Sequence, residues 1–408
     1  MRLIRCLPIH TIHDATQQVR GTSGGHAGVG SMEERAHPLR LRVEGISPLV
    51  ANVLKQEMRS VGGDVATDER GVESSVEEID VILMGSHTQV GKLIVKLSDH
   101  PQLLPLSRSL QETLDHLGRS DFTIRCRKQT FRLSERTHIM GVLNITPDSF
   151  SDGGLFFEKD KAVAQGLRMV DEGADFIDVG GESTRPGSKP LELQEELRRV
   201  LPIIESLARE VDVPISIDTY KSEVAQRAID AGAQIVNDIS GLNFDHHLAS
   251  VVARADLPLV VMHIRGTPEN MQQNVQYDSL FSEILLSLKE SIRRAESAGL
   301  DPGQVVIDPG IGFGKSLKDN LLILKNLYEF RVLGKPILVG PSRKSFIGRI
   351  LGTTVQDRLE GTLAAVAVAA LHGAHIVRVH DVLQTKRAVA VADAIRSAGD
   401  ASSSKNRI

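Results

Sequence analysis

A (β/α)8 barrel preceded by a smaller α/β unit is the fold that this 408-residue sequence predicts. Three observations lead there. Short apolar runs recur from residue 138 onward, and amphipathic segments separate them. These runs are continuously apolar, as parallel strands covered on both faces are. Several end in a polar residue at the same downstream position: Asn144 in HIMGVLN, Asp218 in PISID, Asn237 in AQIVN, Asp308 in VVID and Arg378 in HIVR. An unpartnered polar group among such strands costs several kcal/mol. Its repetition at one end implies a shared mouth lined for a polar ligand, the layout of a barrel enzyme.

The strands are expected at 138–145, 174–181, 214–219, 233–240, 258–263, 304–309, 336–341 and 375–380. Between them, KAVAQGLRMVDEGA, LQEELRRVLPIIESLARE and SLFSEILLSLKESIRRAESAG carry apolar residues at helical spacing. Ala231-Gly232, Ala298-Gly299 and His372-Gly373 mark helix C-termini. Eight such units close into a barrel. The alternative, an open doubly wound sheet, lacks a Gly-rich dinucleotide turn after its first strand. The barrel should span 136–398. Residues 1–35, with GTSGGHAGVGS, read as a flexible extension, and little before Met32 has a foldable pattern. Residues 36–130 read as a small α/β domain: a strand in LRLRVEGI, a helix capped by Ser47, a strand near 80–86 and a helix in TQVGKLIVKLSDH. No polar residues converge there, so a structural or oligomerisation role is expected. The polar tail at 399–408 is expected to be disordered.

Composition narrows the function. Hydrophobic residues make up 41% and charged residues 25%, ordinary for a globular protein. A net charge of −4 provides no basic field for nucleic acid. Cys6 and Cys126 are the only cysteines, which excludes a disulfide framework and fits a reducing compartment. No run approaches the ~20 apolar residues of a membrane helix, and MRLIRCLPIH lacks the apolar core of a signal peptide. A soluble, cytoplasmic protein is the expectation.

Two loops at the barrel mouth carry unusual chemistry. IMGVLNITPDSFSDGG (139–154) has the Pro, Asp, Ser and Gly of a loop able to close over a site. GADFIDVGGESTRPGS (173–188) offers Thr184 and Arg185 to phosphate oxygens. These segments resemble the two signature motifs of the dihydropteroate synthase family. The resemblance continues through SIDTYKSEVAQRAIDAGAQIVNDISG (216–241), VVMHIRGTP (260–268), IDPGIGFGK (307–315), PSRKSFIG (341–348) and VRVHDV (377–382). It implies a (β/α)8 barrel that joins 6-hydroxymethyl-7,8-dihydropterin diphosphate to p-aminobenzoate, releases diphosphate in folate synthesis, and is blocked by sulfonamides.

By that resemblance, Asp218, Asn237, Met262, Asp308, Phe313 and Lys344 contact the pterin. A carboxylate at Asp308 suits the pterin edge, where an amino group and a ring N–H lie side by side. Arg378 and His380 hold the diphosphate with Thr184 assisting, Val379 is a further contact of the pterin diphosphate, and Asn144 is a ligand to Mg2+, which takes few protein ligands beside substrate phosphates. Phe150, Pro186 and Ser345 meet p-aminobenzoate, while Asp148, Phe150, Thr184, Arg185 and Lys344 serve catalysis. A homodimer through outer helices is implied as well. GIGFGKS is not a nucleotide P-loop, because Pro309 stands where that pattern needs glycine. The rival readings are a pterin-binding methyltransferase, which needs no diphosphate clamp, and a non-catalytic pterin-binding paralogue.

Overall fold

The computed structural model describes residues 37–67, 77–127, 129–145, 155–273 and 275–398. The chain divides into two compact units between Gly118 and Arg119.

In the first unit, β1 (Leu39–Ile46), β3 (Ile79–Gly85) and β2 (Asp64–Thr67) form an antiparallel sheet in the order β1-β3-β2. Helices α1 (Pro48–Ser60), α2 (His87–Ser98) and α3 (Leu104–Gly118) accompany it. Ser47 caps α1, its Oγ accepting from Val50 N at 3.4 Å, with Pro48 in the first turn. Ser86 and Gln89 close a reciprocal capping box on α2. The core gathers Leu54, Met58, Leu83, Leu93, Leu97 and Leu114. Helix α3 is absent from the sequence expectation. Pro105 lies in its first turn, where no N–H is needed.

The second unit opens with a hairpin, β4 (Thr123–Cys126) and β5 (Gln129–Arg132). Eight parallel strands follow: β6 (His138–Asn144), β7 (Phe176–Gly180), β8 (Ile215–Asp218), β9 (Ile235–Asp238), β10 (Leu259–Met262), β11 (Val305–Asp308), β12 (Leu338–Val339) and β13 (Ile376–Val379). Each lies inside its expected range. Between and after them run α4 (Leu155–Asp171), α5 (Leu193–Glu210), α6 (Ser222–Ala231), α7 (Leu248–Ala255), α8 (Leu280–Ser297), α9 (Leu317–Lys325), α10 (Ser345–Leu351), α11 (Leu359–Leu371) and α12 (Val382–Arg396). The Ile307–Ile337 bridge joins β11 to the start of β12 and closes the ring. Among the described residues, no helix is long and apolar enough to cross a membrane.

The hairpin corrects the expected boundary, since the smaller unit ends at Gly118 rather than at 130. Phe122, Ile124, Cys126 and Leu133 pack against Met140, Phe176, Ile235, Val260, Val306, Leu338 and Ile376. Those barrel residues lie toward the starts of their strands, so the hairpin stoppers that end of the barrel.

Alternation along the strands then positions the site. Ile177, Val179, Ile217, Val236, Val261, Ile307 and Val377 pack into the helix-covered core. The residues between them turn inward, and beyond the apolar floor they are Asp178, Ser216, Asp218, Asn237, Met262, Asp308 and Arg378. Barrel interiors are usually filled by branched apolar side chains. This one becomes polar halfway up.

Truncating the stopper should be costly. Ile124→Ala is expected to lower stability by about 2–5 kcal/mol, whereas the exposed Val95→Ala should change it by less than about 0.5 kcal/mol. Thermal and denaturant unfolding of the two variants measure the difference.

Candidate active site

Arg378 is the organising charge of the mouth. Its Nε donates to Asp178 Oδ2 at 2.6 Å and its Nη2 to Asp218 Oδ2 at 2.6 Å. Asn237 Nδ2 donates to the same Asp178 oxygen at 3.0 Å. A buried cation is tolerable only with such partners, and the two carboxylates raise the Arg378 pKa further above its usual value against the effect of burial.

Around this centre, Thr184, Asp218, Asn237, Met262, Asp308, Phe313, Lys344 and Arg378 line one small pocket with Ile239, Ile311 and Gly340. Burial raises the Asp218 pKa to about 7, opposed by Arg378 and reinforced by Asp178. Burial likewise raises Asp308 to about 6, although Gly310 N–H donates to its Oδ1 at 2.7 Å. Burial and then the charge of Arg378 lower Lys344 to about 8. Its Nζ stands 4.0 Å from the Phe313 ring centroid. The result is a set of desolvated acceptors beside an ammonium and an aromatic face, suited to a flat polar ring rich in N–H donors.

Asn144 ends β6 close by. A Cβ built on Gly180 would lie 3.5 Å from Asp218 Oδ2 and 3.7 Å from Asn144 Oδ1, so the missing side chain leaves room between those oxygens. Among the described residues no group of three or more His, Cys, Asp or Glu could hold a metal. The amide oxygen of Asn144 is a hard donor of the kind that fits Mg2+, which keeps several waters and binds substrate phosphates.

The other expected residues are less central. His380 follows β13, half-buried, with Nδ1 2.9 Å from Ser342 Oγ. Burial and the nearby Arg378 and Arg343 lower its pKa to about 3, so it is neutral. Arg185, Pro186 and Ser345 are exposed. Val379 is a correction: it turns into the helix-covered core, so its side chain cannot face a ligand. Alternation along β13 sends Arg378 and Val379 to opposite faces. Asp148 and Phe150 lie outside the described residues.

Three features were not anticipated. Asp178 is fully buried in mid-strand; a carboxylate inside FIDVG was the signal, missed by weighing strand ends alone. Lys221 Nζ ties the second loop down, reaching Glu182 at 2.6 Å, Glu196 at 2.5 Å and the Leu191 carbonyl at 2.7 Å. Lys315 is buried beneath the mouth with Nζ 2.9 Å from His263 Nδ1, and burial lowers its pKa to about 7. Its place in a Gly-rich turn gave no sign of this contact.

A stoppered barrel with a polar, anion-receptive pocket at the C-terminal ends of its strands is a (β/α)8 enzyme for a polar cyclic substrate. The family model of pterin binding enzymes matches residues 140–380. A dihydropteroate synthase of Clostridium beijerinckii is 48% identical over 266 residues, 65% of this chain and 96% of that protein. The structure of Xanthomonas albilineans dihydropteroate synthase with 4-aminobenzoic acid superposes with a TM-score of 0.64 at 42% identity, covering 68% of this chain and 99% of that one. A probable bifunctional folylpolyglutamate synthase/dihydropteroate synthase of Haloferax volcanii is 42% identical over 357 residues, 85% of this chain but 42% of that protein. That stretch is longer than the barrel unit, so it reaches into the smaller one. The chain belongs to the pterin binding enzyme family and, within it, to the dihydropteroate synthases, transferases of folate biosynthesis.

The raised carboxyl pKa gives a pH prediction. Folded Asp308 holds its proton up to about pH 6, whereas an unfolded carboxyl loses it near 3.8. The folded state therefore binds more protons between those values, and the group's contribution to stability falls as pH rises through them. The melting temperature of ligand-free Asp308→Asn, relative to wild type, should rise between pH 4 and 6.5 and then level off. Scanning calorimetry across that range checks it.

Proposed function

We propose that the pocket condenses 6-hydroxymethyl-7,8-dihydropterin diphosphate with p-aminobenzoate by a dissociative route. The observation that carries this reading is the confinement of Asp218, Asn237, Asp308, Lys344 and Arg378 to one buried pocket. Asp308 accepts the paired N–H donors of the pterin edge, Asn237 and Asp218 take further ring positions, and Lys344 meets a ring acceptor. Phe313 and Met262 provide apolar contact with the ring. Each carboxylate that burial now disfavours gains donors when the ring enters.

Arg378 faces the diphosphate with its remaining guanidinium edge, assisted by Thr184 and by His380, whose neutral ring has an N–H to donate. Asn144 would hold Mg2+, which would supply charge neutralisation for the departing diphosphate. An aromatic amine is already neutral near pH 7, so no strong base is required. The C–O bond to diphosphate breaks, the pterin methyl cation is stabilised by Asp218 and Asp308, and the amine of p-aminobenzoate forms the new C–N bond and loses a proton. Phe150, Pro186 and Ser345 form the aminobenzoate subsite, where sulfonamides would compete. Asp148 and Arg185, on the two mouth loops, help exclude water. The substrates and the cysteine usage favour the cytoplasm.

A homodimer is part of the proposal. Leu321, Phe346, Ile350, Leu351 and Val368 line an apolar groove formed by α9, α10 and α11, with Ile350 54% and Leu351 49% exposed. Contiguous apolar surface of this kind marks an interface, and a second copy of the chain is the occupant that the family resemblance supports. Ile350→Asp should shift the protein toward monomer in light scattering, and an unchanged mass would remove the groove from the interface.

The reaction is tested by diphosphate release with Mg2+, with and without p-aminobenzoate. Turnover should require the amine, and Lys344→Ala and Arg378→Ala should each lower kcat/KM by roughly 100-fold or more. Release that ignores the amine, or variants as active as wild type, would overturn the reading.

A further inference from the structure

We propose that Asp178 is a positioning residue that orients Arg378 and Asn237 and so serves both halves of the pterin diphosphate site. The inference rests on the assignment of those two residues to the substrate.

Asp178 has no exposed surface, lies in the middle of β7 and is not among the residues that line the pocket. One of its oxygens, Oδ2, accepts from both Arg378 Nε and Asn237 Nδ2. Arg378 has a second carboxylate in Asp218, and the two carboxylates differ in access. Asp218 lines the pocket, so a pterin that donates to it competes with Arg378 Nη2 for the same group. No ligand in the pocket reaches Asp178. It keeps Nε whatever Asp218 does, and because guanidinium is planar, holding Nε fixes the plane of the whole fork. Arg378 therefore stays aimed at the mouth when Asp218 turns to the ring.

Asn237 is governed by the same oxygen. Asn237 presents its Nδ2 side to Asp178, which leaves Oδ1 for a donor on the ligand. A neutral residue at 178 would allow either amide orientation and would loosen a ring contact and the phosphate clamp together.

The arrangement is poor for stability alone. Asp178 Oδ1 is buried without a partner, and so is the hydroxyl of Ser216, its neighbour in register on β8. Buried orphans of this kind call for an explanation outside folding energy, and the double acceptor role provides one.

The test measures inorganic diphosphate binding by calorimetry in the presence of Mg2+, together with steady-state kinetics, for wild type, Asp178→Asn, Arg378→Gln and the double variant. Asp178→Asn should weaken diphosphate binding about 10-fold and lower kcat/KM for the pterin diphosphate by roughly 10–100-fold. Its KM for p-aminobenzoate should stay within about 2-fold of wild type, since the supporting shell of that subsite is untouched. In the Arg378→Gln background, Asp178→Asn should cost no further diphosphate affinity. Wild-type affinity and kinetics in Asp178→Asn, or an additional loss in the double variant, would overturn the proposal. Should Asp178→Asn alone not fold, the double variant decides. If it is soluble and matches Arg378→Gln, the proposal holds; if it too fails to fold, Asp178 is a structural residue. Wild-type turnover measured alongside separates this result from failure of the reaction reading, because the binding comparison stands without turnover.

Discussion

Everything at the mouth of this barrel depends on keeping an arginine charged inside it. A guanidinium surrounded by strands must be matched by carboxylates, and Asp178 and Asp218 supply the match from two neighbouring strands. That requirement breaks the usual apolar filling of the interior midway along the strands. It also explains the rest of the layer. Asn237 satisfies the shared Asp178 oxygen, and Lys344 and Asp308 add one charge of each sign under the same roof.

The layer is stable enough to exist because the other end of the barrel is so well packed. The β4–β5 hairpin drives Phe122, Ile124 and Leu133 against a ring of strand-start side chains, while the helix-covered core encloses the outer faces of the strands. Burial at those surfaces offsets the desolvation of the mouth, where two carboxyls sit above their usual pKa and two lysines below theirs. The pocket is therefore electrostatically unsatisfied by its own side chains. A substrate with N–H donors at one end and phosphate oxygens at the other relieves both kinds of penalty.

Much of this was legible from residue order, for physical reasons. Parallel strands covered on both faces leave unbroken apolar runs, and a polar residue ending each run stands out; Asp218, Asn237, Asp308 and Arg378 were found that way. The signal fails where position, not type, carries the meaning. Asp178 belongs to the same layer but falls inside its strand, and Val379 came from the family resemblance although alternation sends its side chain to the opposite face. The hairpin at 123–132 was not read from the sequence, and its strands are short with outward residues that are largely polar. Only tertiary packing reveals what their few apolar residues cover. Lys315, Lys221 and their partners are long-range contacts, which local pattern does not encode.

The central claim is that desolvation raises the Asp308 pKa and that a pterin lowers it again by giving the carboxyl donors. It is tested most directly by titrating 6-hydroxymethyl-7,8-dihydropterin into the ligand-free protein at pH 6.5, in buffers of different ionisation enthalpy. Binding should release about a quarter of a proton per site, with less released by Asp308→Asn. Binding with no proton exchange, or with proton uptake, would contradict the account.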